Sequence, residues 1–270
     1  LIDQEKMAII IQEVAGAEHD GYYYPSFAGV GRSLNYYPIN DEMPEDGVAE
    51  IAVGLGKYIV DGGLALRFSP RHPDKVLQTS TLDLALRDTQ TQLYALDLKD
   101  VEGGFKVDDG FNIKKIRVQD AAKNGSLRYM VSTFDPYDQV IRDSEYGNGR
   151  RVVTFANVLQ HKVFPLAEII DFMLSEGEKE MRRPVEIEFA GCIDKHGETK
   201  GNVYWLQIRP IVDRKEMLDE KIMHTSDSQL IMKTSNALGH GMMDGVTDVV
   251  YVKTQNFSSF NNPMVAREIE

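Results

Sequence analysis

The most constraining feature of this chain is a pair of β-rich runs joined by a polar segment, "PVEIEFAGCIDKHGETKGNVYWLQIRPIV", from Pro184 to Val212. Side chains alternate along a strand. Glu186 and Glu188 therefore share one face of the first run, and Val185, Ile187 and Phe189 share the other. On the second run the same alternation puts Trp205, Gln207 and Arg209 on one side, against Tyr204, Leu206 and Ile208. Between them, Asp194 to Glu198 carries the polar and glycine residues of a hairpin turn. A turn centred on Gly197 and Glu198 sets Glu188 opposite Gln207 and Glu186 opposite Arg209. The expected product is one polar patch, shared by Trp205, on an otherwise apolar ribbon.

Two readings of that patch stand side by side. Amphipathic hairpins commonly have a wet face, where a Glu opposite an Arg contributes little. Two carboxylates and an amide are also the hard oxygen ligands that Mg²⁺ takes, usually completed by substrate phosphates. An arginine two residues further along has the planar fork that grips a phosphate. Spacing alone leaves both open.

The rest of the chain narrows the class. Its 270 residues suit one large or two modest domains. A net charge of -12 and a pI near 5.0 argue against a nucleic-acid footprint. The single cysteine, Cys192, excludes an internal disulfide and fits a reducing compartment, so a cytoplasmic location is expected. Cys192 reads as a packing residue. No apolar run reaches membrane-spanning length, and no signal-peptide pattern opens the chain. Both ends look cut, since "LID" leads quickly into an apolar run and "MVAREIE" has no polar tail.

Along the chain, "MAIIIQEV" (Met7 to Val14) reads as a buried strand and "GYYYPSFAGVGRSLNYYP" as an extended aromatic stretch. Its tyrosines suit the packing of a lid, and Arg32 reads as a structural or surface residue, with contact to a phosphate as the second reading. Val48 to Val53 reads as a strand, followed by a glycine turn. Ser80 to Leu98 reads as one helix, with Leu82, Ala85, Leu86, Leu93 and Leu96 near helical spacing. "FNIKKIRV", "LRYMVSTF" and "RRVVTF" read as strands. After Pro165, the stripe Leu166, Ile169, Ile170, Met173 and Leu174 predicts a core-facing helix. The pattern is α+β, with a mixed, largely antiparallel sheet and flanking helices. Charged residues 213–230 mark a domain boundary, and "NALGHGMMDGVTDVVYV" beyond it predicts a glycine-spaced loop before a strand.

Three stretches carry a family resemblance. "EIEFA" followed by "WLQIRP" resembles the closing strands of the ATP-grasp domain in the pyruvate phosphate dikinase and phosphoenolpyruvate synthase family. "MAIIIQEV" with "AVGLGKYIVDGG" resembles that family's adenine-lining strand and its Gly-Leu-Gly segment. "ALGHGMMDGVTDVVYV" resembles the opening of its swivelling phosphohistidine domain. The resemblance implies the C-terminal part of an ATP-grasp domain over residues 1–213, with 68–155 as a subgroup insertion or lid. Residues 214–270 would then be a linker and the start of the swivelling domain.

Carried over residue by residue, the resemblance makes Glu188 and Gln207 ligands of Mg²⁺. Arg209 would bind the terminal phosphate of ATP, and Glu186 would assist at the metal or orient Arg209. The backbone of Gln12, Glu13 and Val14 would hold the adenine edge. The implied partners are a histidine-bearing swivelling domain and a pyruvate-binding barrel of the same parent chain. The family's front triphosphate cradle and its Gly-Gly-x-x-Ser-His signature are not found here, so the isolated piece is expected to be inactive. Lys57 stands in "GLGK" where many relatives have Glu. Two alternatives accompany the dikinase reading: a nucleotide-binding module without turnover, and the same chemistry with a glucan or small-molecule acceptor.

Overall fold

The structure, a computed structural model, describes residues 11–39, 41–99, 110–145, 147–194, 201–211, 226–232 and 245–249. The chain divides into two compact units, Leu1–Asp213 and Arg214–Glu270. The described part of the second unit consists of a single 3₁₀ turn, Asp227–Gln229, and an exposed stretch 245–249 without regular structure. Most of the predicted linker lies outside the described residues, and the predicted strand after Gly245 is described only to residue 249, where it has no regular structure.

The first unit is α+β. Its site-bearing sheet has five strands: β3 (Phe27–Arg32), β4 (Val48–Ala52), β5 (Leu66–Phe68), β11 (Val185–Ile193) and β12 (Gly201–Pro210). Their order is β12-β11-β3-β4-β5, with every pairing antiparallel. A second sheet orders β1 (Ala17–His19), β2 (Tyr22–Tyr24), β6 (Gln92–Asp97) and β7 (Ile113–Arg117). A third orders β10 (Arg150–Val153), β8 (Val131–Asp135) and β9 (Val140–Arg142). The principal helix, α5 (Leu166–Met181), begins after Pro165 and buries Leu166, Ala167, Ile170, Met173, Leu174 and Gly177.

That helix covers one face of the five-stranded sheet, and glycines permit the approach. At Gly177 an added Cβ would lie 2.8 Å from Ile208 Cδ1. At Gly29 it would overlap the Phe189 ring and come within 2.8 Å of the Glu50 carbonyl oxygen. The face holding Val185, Ile187 and Phe189 is thereby closed into the apolar core with Phe27, Ile51, Phe68 and Leu174. Val76, Leu93, Leu127 and Val153 join that same core, so the described parts of 68–155 contribute to it. The opposite face of the sheet carries the polar side chains.

Three expectations need correction. Ser80 to Leu98 is not one helix: α2 spans Leu82–Arg87, and β6 follows. The break is made by buried Gln90, whose amide accepts from Val53 N at 2.8 Å and donates to Val53 O at 2.9 Å. Leu93 then enters the core from a strand. Second, Ile11 to Val14 form no strand, and Ile11 is 92% exposed. Gln12 to Val14 border a cavity instead of pairing; Met7 to Ile10 lie outside the described residues. Third, Tyr24 belongs to no lid, being fully buried with its hydroxyl 2.8 Å from Ser126 Oγ.

Candidate functional site

Cross-strand register decides which polar groups meet. In the β11–β12 hairpin Glu188 stands opposite Gln207, and Glu186 opposite Arg209. The hairpin loop itself lies outside the described residues between 195 and 200. A bulge then interrupts the pairing, because Phe189 pairs with Trp205 and Leu206 is the extra residue. One extra residue moves every side chain beyond it to the other face. Trp205 therefore does not share the polar face, contrary to simple alternation. It lies with Phe189 on the helix side, 3.5 Å from the Cβ position of Gly177. Tyr204 instead stands opposite Ala190.

Across β12, β11 and β3 the open face is organised in rows. The first row contains Tyr204, Ala190 and Ala28, and the second Gln207, Glu188 and Val30. The third is Arg209, Glu186 and Arg32. Along β11 and β3, successive rows are two residues apart, roughly 6.7 Å. The face thus changes from apolar, to carboxylate and amide, to guanidinium over roughly 13 Å.

The apolar end opens into a cavity of about 410 Å³, a size typical of small-molecule sites. Ala28, Val30, Ala190, Leu206 and Ile59 contribute to its wall, and Glu188 borders it. Gln12, Glu13 and Val14 line it as well. Gln12 Nε2 donates to the Leu206 carbonyl at 3.4 Å, and Tyr23 Oη donates to the Val14 carbonyl at 3.1 Å. These contacts seat the 12–14 segment beside the bulge of β12. Lys57, the first residue of the short helix α1 (Lys57–Val60), also lines the cavity, and its Nζ lies 3.4 Å from Asp61.

In the middle row, Glu188 is half-buried and forms no hydrogen bond or ion pair among the described residues. Gln207, its direct neighbour across the strands, is exposed. A free carboxylate beside an amide oxygen fits a hard divalent cation that takes its remaining ligands from phosphate and water. Among the described residues, no group of three or more His, Cys, Asp or Glu could form an all-protein cage.

The third row forms an arginine–glutamate–arginine array. Glu186 is buried, at 8% exposure. Its Oε2 accepts from Arg32 Nε at 2.6 Å, and its Oε1 accepts from Arg209 Nε at 2.7 Å. Arg209 Nη2 donates to the same Oε1. Two guanidiniums on one carboxylate leave a local surplus of one positive charge, in a chain whose net charge is -12. From sequence, Arg32 reads first as a structural or surface residue and only second as a phosphate contact. The available signal was an Arg closing a glycine-rich strand, and its value depended on knowing that β3 borders β11.

Cys192 is half-buried, and burial pushes its thiol up from the ordinary range, an environment unlike that of a nucleophile.

Residues 2–230 match the family described as pyruvate phosphate dikinase, AMP/ATP-binding domain. The chain belongs to this family. No curated protein matches it. The dikinase match runs continuously through the cavity, the three rows and residues 68–155. It makes this the ATP-binding part of a dikinase-type enzyme. The α+β architecture, with antiparallel sheets and few helices, agrees with an ATP-grasp-like domain. No helix among the described residues is long and apolar enough to cross a membrane.

Proposed function

We propose that ATP lies along the open face of the five-stranded sheet and that its terminal phosphoryl group passes to a histidine carrier. That carrier, on a swivelling domain of the parent protein, would deliver the group to pyruvate to make phosphoenolpyruvate. The observation supporting this reading is the sequence of the three rows. An apolar cavity, a free carboxylate with an amide, and a guanidinium array follow one another in the order of base, metal-bound phosphates and terminal phosphate.

Each part of the chain has a task. The walls formed by Ala28, Val30, Ala190 and Leu206 exclude water from the base. The backbone of Gln12 to Val14 borders that slot and can read the base edge through its peptide groups. Glu188 and Gln207 would hold Mg²⁺, which when bound supplies charge neutralisation across the phosphates. Glu186 keeps Arg209 aligned, and Arg209 faces the position where charge develops as the phosphoryl group leaves. Preorganised donors of this kind stabilise the transition state without reorganising during the reaction.

Glu188→Gln tests the assignment, because it keeps size and removes the anionic ligand. In Mg²⁺, ATP binding should weaken by about tenfold or more, while AMP binding in EDTA stays near wild type. Calorimetric titration of both nucleotides measures this. Equal ATP affinity in the variant would remove Glu188 from the metal site and leave the wet-face reading of the hairpin.

A further inference from the structure

We infer that Arg32 is the second arm of a two-arginine clamp for the terminal phosphate, with Glu186 as the anchor shared by both arms. The inference rests on the proposed placement of ATP and extends it to a residue on a different strand.

The geometry carries the argument. Arg32, Glu186 and Arg209 stand directly opposite one another on three adjacent strands, β3, β11 and β12. Glu186 therefore receives one guanidinium on each carboxylate oxygen, Arg32 at 2.6 Å on Oε2 and Arg209 at 2.7 Å on Oε1. The side chains open progressively to solvent, at 9% for Glu186, 36% for Arg32 and 60% for Arg209. A guanidinium has five N–H donors. Arg32 spends only its Nε–H on Glu186, leaving both terminal nitrogens for an anion. Arg209 is held through Nε and Nη2, so its Nη1 remains available in the same way.

A purely structural ion pair would be satisfied by one arginine. With two, the buried carboxylate is over-compensated, and the surplus positive charge is met when an anion joins the row. Glu186 fixes the orientation of both forks before any ligand arrives, so less side-chain freedom is lost on binding. The array sits one row beyond Glu188, roughly 6.7 Å from it. That offset separates the metal ligands from the phosphate clamp and makes the row selective for a nucleotide with a chain of phosphates over a monophosphate.

The test is titration of the wild-type protein, Arg32→Gln and Arg32→Lys with AMP, ADP and a non-hydrolysable ATP analogue in Mg²⁺. For Arg32→Gln we expect AMP affinity within about twofold of wild type and analogue affinity lower by about tenfold or more. Arg32→Lys should recover only part of the loss, because a point charge lacks the fork. Millimolar guanidinium ion should restore analogue binding to Arg32→Gln and leave AMP binding unaltered. An unchanged preference for the analogue over AMP in Arg32→Gln overturns the inference and leaves the nucleotide site standing. Equal weakening of AMP and analogue also overturns it, by showing a structural role. Absence of nucleotide binding by the wild-type protein overturns both the inference and the site it rests on.

Discussion

Arg209 is the residue at which a surface ion pair and a phosphate clamp make opposite demands. As a surface partner of Glu186 it needs only charge, and lysine would serve at a cost under ~1 kcal/mol. As a clamp it needs a planar fork that can keep Glu186 and still donate to phosphate. Its two bonds to one carboxylate oxygen show the first engagement while leaving Nη1 for the second. In the intact parent protein, Arg209→Lys should lower single-turnover phosphoryl transfer by tenfold or more, with ATP affinity falling less. That split arises when a contact strengthens chiefly as charge builds in the transition state. Wild-type transfer by Arg209→Lys would remove the clamp role and leave Arg209 as an ion-pair partner of Glu186. Glu188 and Arg209 were legible in sequence because strand alternation sets them on one face. Arg32 could be named only as a second-choice phosphate contact, since its place beside Glu186 comes from a neighbour 154 positions away.

At the scale of elements, regular periodicity was readable and its interruptions were not. The α5 helix follows its apolar stripe, and β11 follows its alternation. The bulge at Leu206 has no compositional mark, yet it moves Trp205 to the helix side and Tyr204 to the open face. Likewise Leu93 continues the spacing begun in α2, but the buried Gln90 bonds to Val53 make the chain extend into β6. Gly29 shows how an element is chosen by its neighbours. It sits on β3 between β4 and β11, where Phe189 fills the space a side chain would need. Gly29→Ala must displace both that ring and the Glu50 carbonyl, so overpacking should cost about 2 kcal/mol. Urea denaturation should show a lower midpoint with unchanged slope. Retention of the wild-type midpoint would mean that β3 shifts freely, against the close packing of the row-bearing strands.

Across the whole molecule, a buried ion pair outside the cavity wall ties the edge strand β5 to the loop between β3 and β4. Glu42 is buried at 6% exposure and joins three segments. It receives Arg67 Nη2 of β5 at 2.8 Å, the Ile39 backbone N–H at 3.0 Å and Asn35 Nδ2 at 2.9 Å. Burial pushes its carboxyl up, but the Arg67 and Ile39 hydrogen bonds outweigh this and hold it below the usual carboxylate range. A carboxylate with a depressed folded-state pKa adds stability above its unfolded value, near 4.3 for Glu, and loses that contribution as pH falls through the folded value. Asp46, also lowered, mainly by the Met43 N–H, acts in the same sense, so the acid limb has more than one source. Glu42→Gln leaves Arg67 without its counter-charge and should cost about 3 kcal/mol at pH 7. The difference from wild type should then shrink as pH falls below the ordinary Glu range and through the lowered folded value, because protonation removes the same charge from the native protein. Denaturation of both proteins across that range measures the convergence. A difference that stays constant with pH would assign Glu42 a packing role alone and would remove the charge on Glu42 from the forces that hold β5 against the sheet.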